Sequence, residues 1–216
     1  MKSIPFYLVL ASLAVSLSCF GQDNSHDLGS WTSLQLNYKA GDKVTLKAKP
    51  IIRHNENLGQ YANTSIDLMV NYKINNKWSL QLLDRHWFIP DGPDRQFYFM
   101  DVNYKAQLSD KLTLNNTLRY HLAFNWTRDD PDFIRFQPTL AYNTGKKVKP
   151  FIGYSAFYRL GDISGLVGAR YKLGCNYAIS SKTGLSLTYW NQDDYNDDFP
   201  LAKSHIFLLN YSYNLN

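Results

Sequence analysis

The residues with the clearest chemical potential are the arginines, and their placement says more than their number. Arg53, Arg85, Arg119, Arg135 and Arg159 all fall on the parity opposite to the apolar residues around them, in runs that alternate as β-strands do, and Arg95 fits the same side. Arg170 and Lys172 hold the corresponding parity of their own run. A guanidinium is a fixed fork of donors that matches a carboxylate or phosphate. Several of them lining the inside of a closed sheet would favour anionic solutes. Asp67, Asp101, Asn103, Asn115, Gln81, Gln137 and His121 share that inward parity. The arginines can therefore equally pair with carboxylates and fill a narrow interior.

Catalysis has less to stand on. Asp84 and His86 share a face and suit a base and its orienter, but no serine sits beside them. None of His26, His54, His86, His121 or His205 has a serine two residues away, the spacing that puts a nucleophile and its base on one side of a strand. Ser204 and His205 are adjacent and would point to opposite faces. An enzyme is not expected; an outer-membrane acyl hydrolase remains the alternative, and it would need a serine from a neighbouring strand.

No glycine loop for phosphate and no metal-ligand cluster is present, so no cofactor or metal is expected. Asp91 and Asp94, Asp129, Asp130 and Asp132, and the DDYNDD run from Asp193 to Asp198 read as solvated acidic loops. Gathering of a divalent cation that bridges lipopolysaccharide is the competing reading, without the spacing of an EF-hand.

What must position these groups is a β architecture. The acidic residues are 17 Asp and a single Glu, Glu56, a bias toward turn formers over helix formers. Mean hydropathy is -0.37 although 15% of residues are aromatic, which suits a wall wet on one side and apolar on the other. A net charge of +5 is too small to point to nucleic acid.

Lys2 followed by the apolar run from Ile4 to Leu17 has the form of a secretory signal and is too short to span a bilayer. The expected division is a signal peptide over 1–21, cleaved after Gly21, and a barrel over 22–216. Lipidation at Cys19 is the competing reading. Once Cys19 leaves, Cys175 is the one cysteine left, and no intramolecular disulfide can form.

A tyrosine then recurs roughly every 35 residues: Tyr38, Tyr72, Tyr104, Tyr142, Tyr177 and Tyr211. Each of the first five is followed by a short turn and a second alternating run, as in Ile74-Asn75-Asn76-Lys77 before Trp78. The connections at the other end are generally longer and more acidic. Short turns at one end and longer loops at the other are the asymmetry of an outer-membrane barrel, with the tyrosines and Trp78, across the turn from Tyr72, as its interfacial aromatic girdle. Apolar residues hold that same face, among them Leu68, Val70, Met100, Leu118, Val167, Ala169 and Leu173.

Eleven strand segments can be counted. Because bacterial single-chain barrels normally have an even number, the expected fold is an all-β, antiparallel up-and-down barrel of 10–12 strands, with 12 preferred.

The Leu28-Gly29-Ser30-Trp31 opening, the pattern from Asn71 to Leu80 and the aromatic last strand resemble small outer-membrane β-barrels of Gram-negative bacteria grouped as a domain of unknown function. That resemblance covers nearly all of the chain after the signal and implies architecture, with no catalytic residues to carry over. The expected location is the cell outer membrane, and the expected partners are its lipid and lipopolysaccharide, the barrel-assembly machinery and a small anionic solute. A narrow passive channel with an Arg-lined interior is the leading expectation. A closed barrel with a structural or interaction role is the alternative, and a lipid-modifying enzyme is the third.

Overall fold

The computed structural model describes residues 27–55, 57–90, 92–124, 132–161, 164–194 and 204–216. The expected signal peptide, Cys19, and Asp91, Asp129, Asp130, Asp197 and Asp198 of the acidic loops lie outside the described residues.

Alternating sequence becomes strand throughout: β1 (Asp27–Lys39), β2 (Val44–Asn55), β3 (Gln60–Lys73), β4 (Trp78–Phe88), β5 (Arg95–Gln107), β6 (Leu112–Phe124), β7 (Phe133–Tyr142), β8 (Val148–Arg159), β9 (Gly165–Ala178), β10 (Thr183–Asp194) and β11 (Ser204–Asn214). Each strand pairs antiparallel with its neighbour in sequence, and β1 closes on β11. The result is a closed barrel of 11 strands.

The eleven segments read from the sequence are these strands, and the even count of twelve is not met. An odd meander sends its first and last strands in the same direction. Closure is accordingly parallel, from Asp27↔Ser204 to Asn37↔Asn214. Amide and hydroxyl side chains support that seam from the inside, with Ser33 Oγ donating to Asn210 Oδ1 at 2.8 Å and Asn37 Nδ2 to Asn214 Oδ1 at 3.0 Å.

The short turns repeat one piece of chemistry. Ala40, Ile74, Leu108 and Ile179 each donate their N–H to the carbonyl four residues on, at 2.9 to 3.0 Å. Inside three of these turns a small polar side chain accepts from the backbone: Asn75 Oδ1 from Lys77 and Trp78, Ser109 Oγ from Lys111 and Leu112, Ser180 Oγ from Lys182 and Thr183. These local bonds offer the backbone an alternative to continuing a strand, which is why the chain reverses there. Where proline removes a donor, the ladder lapses. Pairing of β1 with β2 is broken around Pro50, and that of β7 with β8 around Pro138.

Alternation sorts side chains into an outer and an inner set. Leu82, Leu68, Leu173, Met100 and Leu118 are exposed on the outer wall, as are five of the six recurrent tyrosines, with Tyr104 half-buried. Trp78 is in register with Tyr104, their ring centroids 4.6 Å apart, while Tyr72 faces Leu80. Trp78 thus shares the face of Tyr72 across the turn and has its ring neighbour on the next strand.

One expectation about the faces is corrected. The pairing of β8 with β9 slips by one residue between Phe157 and Tyr158, so Val167 is an extra residue turned inward, packed with Phe133 and Phe157. A bulge of one residue breaks the parity on which its outward placement rested. Ala169 is likewise fully buried, unlike the exposed Tyr171 and Leu173 that follow it.

Candidate functional site

Adjacent strands bring the inward arginines against carboxylates that are far apart in sequence. Asp67 on β3 faces Arg85 on β4, and Asp101 on β5 faces Arg119 on β6. Arg85 donates from Nε and Nη2 to the two oxygens of Asp67 at 2.7 and 2.6 Å. Arg119 does the same to Asp101 at 2.6 and 2.7 Å. Each carboxylate is 2% exposed. Burial at this level requires such pairing, because an isolated charge in a low-dielectric site is costly. Gln81 adds a donor to Asp101 at 3.0 Å and accepts from Lys47 at 3.2 Å.

Aromatic rings fill the space between these groups. The ring of Phe99 lies 5.3 Å from the guanidinium of Arg85 and 4.7 Å from that of Arg119, and His121 stacks on it at 4.4 Å. Phe97, Phe99, Met69 and Leu83 form a buried cluster with Trp87 against it. Planar cations over ring faces gain quadrupole attraction, more so when desolvated.

The remaining arginines are held differently. Arg53 donates from Nη1 to Asn63 Oδ1 at 2.7 Å and Ser65 Oγ at 2.9 Å, and lies over Trp31 at 4.7 Å and Trp87 at 5.2 Å. Arg170 donates from Nε to Gln192 Oε1 at 2.9 Å and from Nη2 to the same atom, and packs over Trp190 at 4.1 Å. Arg135 lies 5.2 Å from the ring of Phe157, and its Nε is buried with no hydrogen-bond partner among the described residues. Arg159, half-buried, stands at the end of β8 opposite Phe133 and Gly165, with no carboxylate partner among the described residues. Arg95 also has a buried Nε without a hydrogen-bond partner among the described residues.

Sequence parity therefore located the charges but missed half of the site. Trp31, Trp87, Phe97, Phe99, Phe157 and Trp190 share the inner face with the arginines. A signal existed, since Trp87 follows Arg85 by two residues, Phe157 precedes Arg159 by two and Phe133 precedes Arg135 by two. Below this layer the cations change type. The mouth at the short-turn end is a cavity of about 590 Å³ whose lining includes Lys39, Lys43, Lys73, Lys77 and Lys105 with a single carboxylate, Asp42.

The candidate catalytic pair is placed elsewhere. Asp84 and His86 lie on the outer wall, where Asp84 accepts from Gln96 at 3.1 and 3.3 Å and His86 Nε2 is 3.7 Å from Asp94. The register sets Ser30 opposite His54, and the ring neighbour of His54 is Tyr61. Among the described residues no group of three or more His, Cys, Asp or Glu side chains converges in a way that could hold a metal ion.

The class these features define is a closed eleven-stranded β-barrel with an apolar outer wall and a cation-rich interior filled by aromatic rings. The chain belongs to the family described as "Protein of unknown function (DUF2490)", whose model matches residues 28–201. No curated protein matches it.

Proposed function

We propose that this protein is an outer-membrane β-barrel that is closed at the level of its arginines and serves as a binding or structural element, not as a freely conducting pore. The outer wall supports the membrane assignment: side chains such as Leu82, 60% exposed, form an apolar surface around the barrel that lipid would cover. The tyrosines at the short-turn rim then sit where an aromatic girdle meets the headgroups.

Burial of the interior arginines carries the closed reading. Arg53 is 4% and Arg170 5% exposed, and the carboxylates of the other pairs are as inaccessible. Guanidinium groups around a water-filled channel would be wet; these are covered by rings and neighbours.

A narrow anion-leaning channel is the second reading, favoured by one specific observation. Among the described residues two buried carboxylates face the guanidinium groups of Arg53, Arg85, Arg119, Arg135 and Arg170, a surplus of positive charge that would select for anions if the layer opened.

Conductance of the refolded barrel in a planar bilayer under a salt gradient separates the two. The closed reading expects a folded, heat-modifiable barrel with no steady current. Steady anion-selective current through the unaltered protein would overturn it in favour of the channel.

A further inference from the structure

We infer that the cavity at the short-turn mouth binds a soluble anion carrying several phosphate groups. Each of the five short turns ends in a lysine placed directly before the next strand: Lys43, Lys77, Lys111, Lys147 and Lys182. Their backbone setting is the same each time. The carbonyl of that lysine accepts, at 2.7 to 2.9 Å, from the residue at the end of the strand next along the rim: Lys73, Lys105, Asn143, Ala178 and Asn214 in turn. Consecutive hairpins are two strands apart, which sets these lysine backbones about 10 Å from one another around the rim. The acids in the same five turns are Asp42 and Asp110.

Parity turns this collar toward the lumen. Each turn lysine stands two residues before an inner-face position, Thr45, Ser79, Thr113, Lys149 and Gly184 in turn, and so differs in parity from the outer wall. Lys43 and Lys77 line the mouth cavity together with Lys39, Lys73 and Lys105, and Asp42 is the single carboxylate there. Ion pairs among the described residues join Arg85 to Asp67, Arg119 to Asp101 and His86 to Asp94, and none of them engages these lysines. Asn103 lines the same cavity; its Oδ1 accepts from Thr117 Oγ1 at 2.7 Å, which leaves the amide nitrogen to donate.

The choice of ligand follows from the type and spacing of the charges. A lysine ammonium is a compact point charge with three donors that turn freely, which suits the charge-dense oxygens of phosphate without demanding a planar partner. A cleft lined by one sign of charge and walled by protein focuses its field and concentrates counter-ions. At physiological salt that field is screened over about 8 Å, so a univalent ion beside one lysine feels little of the next. A chain of phosphates spans several lysines at once. The cavity of about 590 Å³ has the size of a small-molecule site. In the outer-membrane placement proposed above, the short-turn mouth faces the periplasm. The site lies below the arginine layer, so binding and conductance are read separately, and a conducting barrel that binds the anion overturns only the closure.

The test is calorimetric titration of the refolded barrel in non-ionic detergent with tripolyphosphate, against orthophosphate and chloride. Saturable binding of tripolyphosphate, about tenfold tighter than that of orthophosphate and weakening as salt is raised, is expected. Lys73→Gln with Lys105→Gln, both in the cavity lining, should weaken it about tenfold, the range for losing two exposed ion pairs. Lys146→Gln with Lys182→Gln removes the same charge from the rim outside that lining and should cost less than about threefold. Should the first double variant fail to fold, Lys39→Gln with Lys77→Gln reads the same cavity. Absence of saturable tripolyphosphate binding to the folded parent would overturn the site. Equal losses in the cavity and rim variants would do the same, reducing the effect to diffuse rim charge. Orthophosphate or chloride bound as tightly would overturn the assignment to a multiply charged anion. Displacement of tripolyphosphate by phosphatidylglycerol in mixed micelles would give the site to a lipid headgroup and overturn its assignment to a soluble ligand.

Discussion

Arg119 and Arg135 stand directly opposite one another on β6 and β7, and of the two it is Arg119 that is paired with a carboxylate. Like charges facing each other across strands destabilise a sheet. Here Asp101 neutralises one of them from the far side, while the ring of Phe157 covers the other. The tolerance of the whole layer for excess charge thus depends on two acids.

Removing one of those acids should be costly. Asp101→Asn leaves a buried guanidinium uncompensated and should destabilise the barrel by about 3–5 kcal/mol. Loss of heat-modifiable mobility on gels at a markedly lower temperature would register this. Replacing both partners, Asp101→Leu with Arg119→Met, should regain most of the loss, since an apolar pair of similar volume does without the charges. A single variant as stable as the parent would mean that the pair is not structural.

The outer wall offers a test of its solvent. Leu82 is 60% exposed, and in water its replacement by arginine should change stability by less than about 0.5 kcal/mol. Facing the middle of a bilayer, Leu82→Arg should cost about 2–4 kcal/mol. Equilibrium unfolding in lipid vesicles decides between the two values, and the small one would remove the lipid-facing assignment.

Two glycines should behave in opposite ways. A β-carbon at Gly174 would meet the carbonyl oxygen of Leu187 at 2.4 Å and the ring of Phe151 at 2.5 Å. Because backbone cannot step aside as a flexible side chain can, Gly174→Ala should destabilise by about 1–3 kcal/mol. At Gly41, in the first short turn, nothing lies within 4 Å of that position, and Gly41→Ala should be close to neutral. Urea titration of both variants checks the contrast.

The charge layer should be openable by design. Converting Asp67 and Arg85 together to alanine removes a pair and shortens two inward side chains without leaving either partner alone. The double variant should pass discrete, anion-selective currents where the parent is silent, because Arg53, Arg135 and Arg170 remain. Continued silence from a folded double variant would place the seal in the aromatic cluster of Phe97, Phe99 and Trp87 instead.

Much of this was legible in the chain. Alternation on either side of the Ile74–Lys77 turn fixes both strand and face, since a side-chain period of two leaves no other consistent reading. The turns were legible because Asn75, Ser109 and Ser180 bond their own backbone, a local effect that needs no tertiary knowledge. The closure was not. Parallel pairing of β1 with β11 is contact between distant segments, and the habit of even strand numbers pointed away from it. Val167 escaped because a bulge depends on the partner strand's register. The pairing of arginines with particular acids was hidden for a related reason. Parity puts Asp67 and Arg85 on one side of the sheet, but only the hairpin register brings them face to face.

The parallel seam sets where the barrel wall begins and where it ends. With β1 and β11 running the same way, Asp27 lies on the rim of the longer loops and Asn214 on the rim of the lysine-bearing turns. An even-numbered barrel would bring both to one rim. If a bilayer surrounds this barrel, it separates Asp27 from Asn214. A protease confined to one compartment would then reach the start of β1 or the end of β11, and not both.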